Sequence, residues 1–217
     1  MTIPFVVELL EVTDLHRADL ESLPLLRQMV EGQCSRSHYI QFLSDLYHVV
    51  LHFCPIMGAA VSRCPDQFRQ LRSHLYEAMH DEQGHEQMVL DDLAEFDVDT
   101  DLVRHSRASE PVLALISSNY YLADRVHPCS VIGMSYVLEL LASAYAGPIA
   151  AGLARGFGMQ PGRGFAFLES HASLDEVHVV RLHALLNTLE DARAQQEVIA
   201  ASKSNFYLFK EWIRQIA

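Results

Sequence analysis

Apolar residues recur at every third or fourth position along almost the whole chain of 217 residues, and no stretch alternates as a strand would. This spacing is typical of helices that bury one face, so the sequence predicts an all-α fold. Pro24 and a Gly-rich stretch near Pro161 interrupt the helical pattern. We expect a bundle of about seven helices, near 5–30, 35–63, 66–93, 110–125, 130–157, 165–189 and 192–216.

The chain shows no internal repeat of 20–50 residues and no linker rich in Gly, Ser or Pro. A chain of this length can bury a substantial core as one unit. We therefore expect residues 1–217 to form a single domain.

The charge balance argues against two classes of partner. Sixteen basic and 28 acidic residues give a net charge of −12, which opposes binding to nucleic acid and to anionic membranes. Residues 1–10 lack the basic region of a signal peptide, and no two of the four cysteines have C-x-x-C spacing. A cytoplasmic location is the expectation.

One segment is apolar enough to be compared with a membrane span. Residues 133–154 carry a single charge, Glu139, but they are rich in Ala, Gly and Ser and are interrupted by Pro148. This composition favours a buried helix at the centre of a bundle, and we predict no membrane span.

Three metal-binding side chains share one face of the helix near 165–189. His171, Asp175 and His178 stand at i, i+4 and i+7, and apolar residues flank them. Unpaired burial of these groups would cost several kcal/mol, whereas metal coordination satisfies all three. The two histidines are separated by about 10 Å along the helix axis. That distance favours two ions with Asp175 between them.

Two other predicted helices supply complementary ligands. Glu82 and His85 form an E-x-x-H pair, and Glu139 is an isolated carboxylate in an apolar helix. The combined set of three carboxylates and three imidazoles suits iron, and manganese also fits it. Tyr136, one turn before Glu139, is a candidate either to line the pocket or to pack in the core.

Most of the 12 histidines carry no such pattern. His74 and His80 lie close to the E-x-x-H pair in sequence but on other sides of the helix, so we expect them at the surface. His48 and His52 are expected in the core or beside the site.

The order of these motifs resembles a known family. An E-x-x-H pair, a lone Glu in Tyr-Val-Leu-Glu and then H-x3-D-x2-H, across about residues 35–190, is similar to the haem-oxygenase-like non-haem diiron oxidases and oxygenases. These are iron-containing redox enzymes related to TenA, PqqC and haem oxygenase. The resemblance implies a single haem-oxygenase-like helical domain that is cytosolic. It also implies an O2-activating oxidoreductase acting on a small organic substrate such as a fatty acid, an amine or an amino-acid derivative.

The resemblance also implies a division of the ligands. Glu82, His85 and His171 would hold one iron, while the second and more weakly held iron would lie among the remaining three ligands: Glu139, Asp175 and His178. The bridging carboxylate is left open, and analogy with the family suggests a homodimer.

Three alternatives remain at this stage. Pro128-Cys129 resembles the nucleophile segment of a cofactorless TenA-like thiaminase or hydrolase. His16 is placed somewhat like the proximal histidine of a haem oxygenase, although haem would leave the H-x3-D-x2-H motif unexplained. A non-catalytic binding bundle is the third alternative.

Overall fold

The computed structural model describes residues 3–216, except for the side chains of residues 173–177. The described chain is helical and contains no strand, so the all-α prediction is confirmed. The helices are α1 Phe5–Glu21, α2 Pro24–Glu31, α3 Arg36–Arg63, α4 Arg69–Glu82, α5 His85–Ala94, α6 Thr100–His105, α7 Glu110–Tyr121, α8 Ser130–Phe157, α9 Ala166–Asn187 and α10 Ala192–Ile216.

The described residues form ten α-helices instead of about seven, and two of the differences have clear local causes. The segment predicted as one helix over 66–93 is broken by Gly84, whose φ of +93° ends α4 and allows α5 to begin at His85. The acidic segment 97–101, which lies between the helices predicted at 66–93 and 110–125, leads directly into α6. The Asp99 side chain caps that helix by accepting hydrogen bonds from the N–H groups of Asp101 and Leu102.

The apolar helix α8 lies at the centre and packs against α9, α10 and α2. Its approach to α2 is unusually close. A Cβ atom on Gly152 would lie 2.2 Å from the carbonyl oxygen of Val30, and one on Gly156 would lie 2.1 Å from that of Gly32. Glycines one turn apart on α8 therefore allow the backbone of α2 to rest directly against it.

A buried carboxylate connects α5 to α9. Asp92 on α5 is 2% exposed, and its two oxygens accept hydrogen bonds from the N–H groups of Ala166 at 2.8 Å and Phe167 at 2.9 Å. These are the first N–H groups of α9, which lack partners within the helix. Asp92 thus fixes the start of α9 against the helix that begins at His85.

Two of the described helices, α3 and α8, are long and apolar enough to cross a membrane. In their most apolar windows, 50% and 44% of the residues are buried inside the bundle. Core helices of soluble proteins have the same length and composition.

Replacing Gly152 with Ala should destabilise the fold, because the new methyl group would overlap the α2 backbone. We expect the free energy of unfolding to fall by about 2 kcal/mol or more in urea denaturation. Gly58→Ala is the matched control, since a Cβ on Gly58 in α3 meets nothing within 4 Å. That variant should be as stable as the wild type or more stable by up to about 1 kcal/mol. Equal effects of the two substitutions would contradict the close approach.

Asp92→Ala should lower the free energy of unfolding by about 1–3 kcal/mol, because two N–H groups at the start of α9 lose their acceptor. Asp91→Ala is the control, since it removes the same charge from an exposed neighbouring position and should change stability by at most about 0.5 kcal/mol.

The same pair of variants tests a pH dependence. Burial raises the pKa of Asp92 from 3.8 to about 6, although its two backbone hydrogen bonds act in the opposite direction. The folded protein therefore binds this proton more tightly than the unfolded chain. The stabilisation from protonated Asp92 should be lost as the pH rises through the folded-state pKa, from about 4 to about 6. Asp92→Ala should lack this contribution and Asp91→Ala should retain it.

Candidate metal centre

The first group of candidate ligands surrounds one oxygen of Glu82. The Nδ1 atom of His85 lies 2.7 Å from Glu82 Oε2, and the Nε2 atom of His171 lies 3.6 Å from the same oxygen. One potential ligand atom from each residue lies within 4.8 Å of those of the other two. The structure thus brings together three residues that the sequence analysis assigned to one metal.

The second group surrounds the other oxygen of Glu82. The Nδ1 atom of His178 lies 3.9 Å from Glu82 Oε1 and 3.6 Å from Glu139 Oε1. Glu82, Glu139 and His178 again offer ligand atoms within 4.8 Å of one another. Glu82 therefore belongs to both groups and lies between them. Asp175, also predicted as a ligand, lies outside the described side chains.

The E-x-x-H pair is built differently from its sequence interpretation. Glu82 is the last residue of α4 and His85 is the first residue of α5, so the two do not share a continuous helix. Gly84 turns the chain between them while their side chains remain in hydrogen-bond contact. By contrast, His171 and His178 both lie on α9, two turns apart, as expected.

The orientation of His171 is set by its own helix. Its Nδ1 atom lies 2.8 Å from the backbone oxygen of Phe167, to which it can donate a hydrogen bond. That arrangement leaves Nε2 directed towards Glu82. A histidine ligand in a metal site usually has its second nitrogen held in this way.

The groups are sheltered, and the pKa values of Glu82 and His178 are shifted. The side chains of Glu82, His85, His171, His178 and Glu139 are between 10% and 17% exposed. Burial opposes ionisation of Glu82, but His171 and His85 outweigh it and lower the pKa of Glu82 to about 2. The Glu139 carboxylate raises the pKa of His178 against the effect of burial.

The donor set fits a transition-metal cation. Carboxylates and imidazoles of the described residues converge from α4, α5, α8 and α9. Mixed oxygen and nitrogen donors of this kind suit iron or manganese.

An apolar cavity of about 130 Å³ reaches these ligands from one side. Its described lining is hydrophobic except for Glu82, Glu139, His171 and Tyr145. The walls are formed mainly by α3 and α8, each contributing residues up to eleven positions apart, or about 16 Å at the helical rise.

A small polar pocket reaches the ligands as well. Its lining includes Glu82, Glu139 and His178 together with His74, Glu77, Asp81, Ser135 and Arg181. The expectation that His74 lies at the surface was therefore wrong, because this residue is half-buried beside the site. Its position two turns before Glu82 on the same helix could have predicted that it lies beside the site.

The remaining candidates lie elsewhere. His80 is exposed, as expected. His48 is buried and its Nε2 atom lies 3.0 Å from Ser106 Oγ, while His52 Nδ1 lies 3.0 Å from the hydroxyl of Tyr120. Both therefore have partners outside the two ligand groups.

Tyr136 and Cys129 are both core residues. The hydroxyl of Tyr136 is 3.0 Å from Thr13 Oγ1, and the described lining of the cavity does not include this tyrosine. Cys129 is 0% exposed, and burial raises the pKa of its thiol to about 12. Because the thiolate is the nucleophilic form, Cys129 is poorly suited to the role it would have in a thiaminase.

Solved structures identify the fold as haem-oxygenase-like. A domain of unknown function from Shewanella denitrificans with a haem oxygenase-like fold is 19% identical, with a TM-score of 0.87 over 100% of this chain and 93% of that one. A TenA homologue from Pseudomonas syringae has 15% identity and a TM-score of 0.83 over 98% and 92%. Haem oxygenase from Leptospira interrogans has 17% identity and a TM-score of 0.75 over 98% and 100%.

A family comparison adds to this fold assignment. The sequence model of the iron-containing redox enzymes matches residues 40–206, a range that includes every ligand discussed above. The chain therefore belongs to the iron-containing redox enzyme family. No curated protein matches it significantly.

Proposed function

We propose that this protein is a non-haem diiron oxidase or oxygenase that activates O2 to oxidise a small organic substrate. The observation that supports two ions is the position of Glu82. Its Oε2 atom faces His85 and His171, and its Oε1 atom faces His178. One carboxylate thus lies between two candidate metal positions, as in carboxylate-bridged sites of other helical bundles.

Under this proposal Glu82, His85 and His171 hold the first iron. Glu82, Glu139 and His178 hold the second, with Asp175 as a further ligand predicted from the sequence. Bound iron would supply the redox chemistry and the reaction with O2. Among the described ligands, the first position has two imidazoles and the second has one. This difference supports weaker binding of iron at the second position.

The cavity indicates what kind of substrate the chain can hold. Apart from the candidate ligands, its described walls offer no basic side chain, and Tyr145 is their one polar group. An amino-acid derivative would bring two charged groups into this lining and a fatty acid only one, and each buried charge without a partner costs several kcal/mol. Of the three substrate types expected from the sequence, a molecule with an apolar chain, such as a fatty acid, fits best.

The alternatives have less support in the described residues. Cys129 is buried with a raised pKa, and neither Cys129 nor His16 is among the described lining of the cavity. His171 is the sole histidine in that lining, and it is already directed at Glu82. The partners we propose are therefore O2 and one small molecule. Nucleic acid is not among them, and a cytoplasmic homodimer stays a prediction.

Anaerobic titration with Fe(II) tests the diiron proposal. The wild type should bind two equivalents, the second more weakly, and then show a transient change in visible absorbance when O2 is added. His171→Ala should lose the first equivalent, whereas Glu82→Ala should weaken both because this residue borders both positions. His80→Ala, an exposed histidine on the same helix as Glu82, is the control and should bind like the wild type. The absence of stoichiometric iron uptake would refute the proposal.

Calorimetry with saturated fatty acids of increasing length tests the assignment of the cavity. Affinity should rise with chain length, by up to about 0.8 kcal/mol per buried methylene, until the cavity is full. Ala142→Phe, which narrows the cavity beyond Glu139, should abolish this dependence and leave Fe(II) binding unchanged. Ala151→Phe, at an exposed position of the same helix, serves as the control. Tighter binding of an amino acid than of any fatty acid would overturn the assignment.

A further inference from the structure

Asp81 is a carboxylate beside the metal centre that belongs to neither group of candidate ligands. It precedes Glu82 in the last turn of α4. Its Oδ2 atom lies 3.7 Å from His178 Nε2 and accepts a hydrogen bond from Arg181 Nη1 at 3.2 Å. Asp81 therefore lies behind His178, on the side that borders the polar pocket.

The two nitrogens of His178 have separate surroundings. Nδ1 faces Glu139 and Glu82, where the second ion would bind, while Nε2 faces Asp81. A neutral imidazole carries one proton, and only its unprotonated nitrogen can bind a metal. The proton must therefore stay on Nε2 for His178 to act as a ligand.

His171 shows the complementary arrangement on the same helix. Its Nδ1 atom is held by the backbone oxygen of Phe167, so its Nε2 atom is directed at Glu82. His178 must present the opposite nitrogen to the metals. The group that faces its remaining nitrogen comes from another helix, α4, and is a carboxylate.

Arg181 keeps this carboxylate in place. It lies three residues after His178, one turn further along α9, and it contacts the same Asp81 oxygen that faces the imidazole. His178 and Arg181, both on α9, therefore face the same carboxylate on α4.

We propose that Asp81 is a positioning residue that favours the Nε2–H tautomer of His178, with Nδ1 directed at the second metal position. Carboxylates behind histidine ligands act in this way in other metal sites, and their loss weakens metal binding. The consequence for metal binding rests on the diiron proposal. The influence of Asp81 on the tautomer of His178 does not depend on it.

The first experiment is anaerobic titration of the full-length protein with Fe(II) alone. Asp81→Asn should weaken binding of the second equivalent by about 10- to 100-fold and leave the first equivalent unchanged. Glu77→Gln is the matched control, because it removes the same charge from the same pocket and helix. An unchanged second equivalent in Asp81→Asn, or an equal loss in Glu77→Gln, would overturn the proposal.

The second experiment uses the metal-free protein labelled with 15N in histidine. At about pH 9, well above the ordinary histidine pKa, Glu82 and Glu139 compete for a proton on Nδ1, while Asp81 favours one on Nε2. NMR should therefore show a larger Nε2–H population for His178 in the wild type and in Glu77→Gln than in Asp81→Asn. An unchanged tautomer in Asp81→Asn would contradict the role of Asp81 even if two irons bind. If no iron binds to the wild type, the diiron proposal fails and the NMR result still decides the tautomer.

Discussion

Carboxylates inside a helical bundle must be paired, because an isolated buried charge costs several kcal/mol. Two such pairings organise this protein. Asp92 on α5 accepts the N–H groups at the start of α9 and so fixes those two helices against each other. Glu82, at the end of α4, is paired with His85 on α5 and faces His171 on α9. The need to pair buried charge therefore joins three helices at the place where the metal-binding groups meet.

The candidate metal centre borders two pockets, an apolar cavity and a polar pocket, and each has a different role in our proposals. Glu82 and Glu139 border both the apolar cavity and the polar pocket. The apolar walls can exclude water and hold a hydrophobic substrate near the ligands. The polar pocket contains Asp81 and Arg181, which control the orientation of His178 in our proposal. In these proposals the substrate and the residues that support the ligands lie on separate sides of the candidate metal centre.

Sequence patterns predicted two of the long helices well. The segment expected at 130–157 is α8, and the segment expected at 35–63 is α3, which Ser35 caps. The pattern failed at Gly84, because a lone glycine within a regular apolar repeat is compatible with an unbroken helix. It failed again at His74. The side of α4 on which this residue lies did not show that residues of α8 and α9 line the same pocket.

The sequence by itself determined which groups share a helix face, because a helix repeats every 3.6 residues whatever surrounds it. The pairing of His171 with His178 and the isolation of Glu139 follow from that local rule. Only the tertiary structure decided that Glu82 lies between two donor groups, that the adjoining cavity is apolar and that Asp81 faces His178. These relations depend on how helices distant in the chain rotate and pack against one another. The side chains and backbones at the crossings set that packing, so no spacing within one helix can encode it.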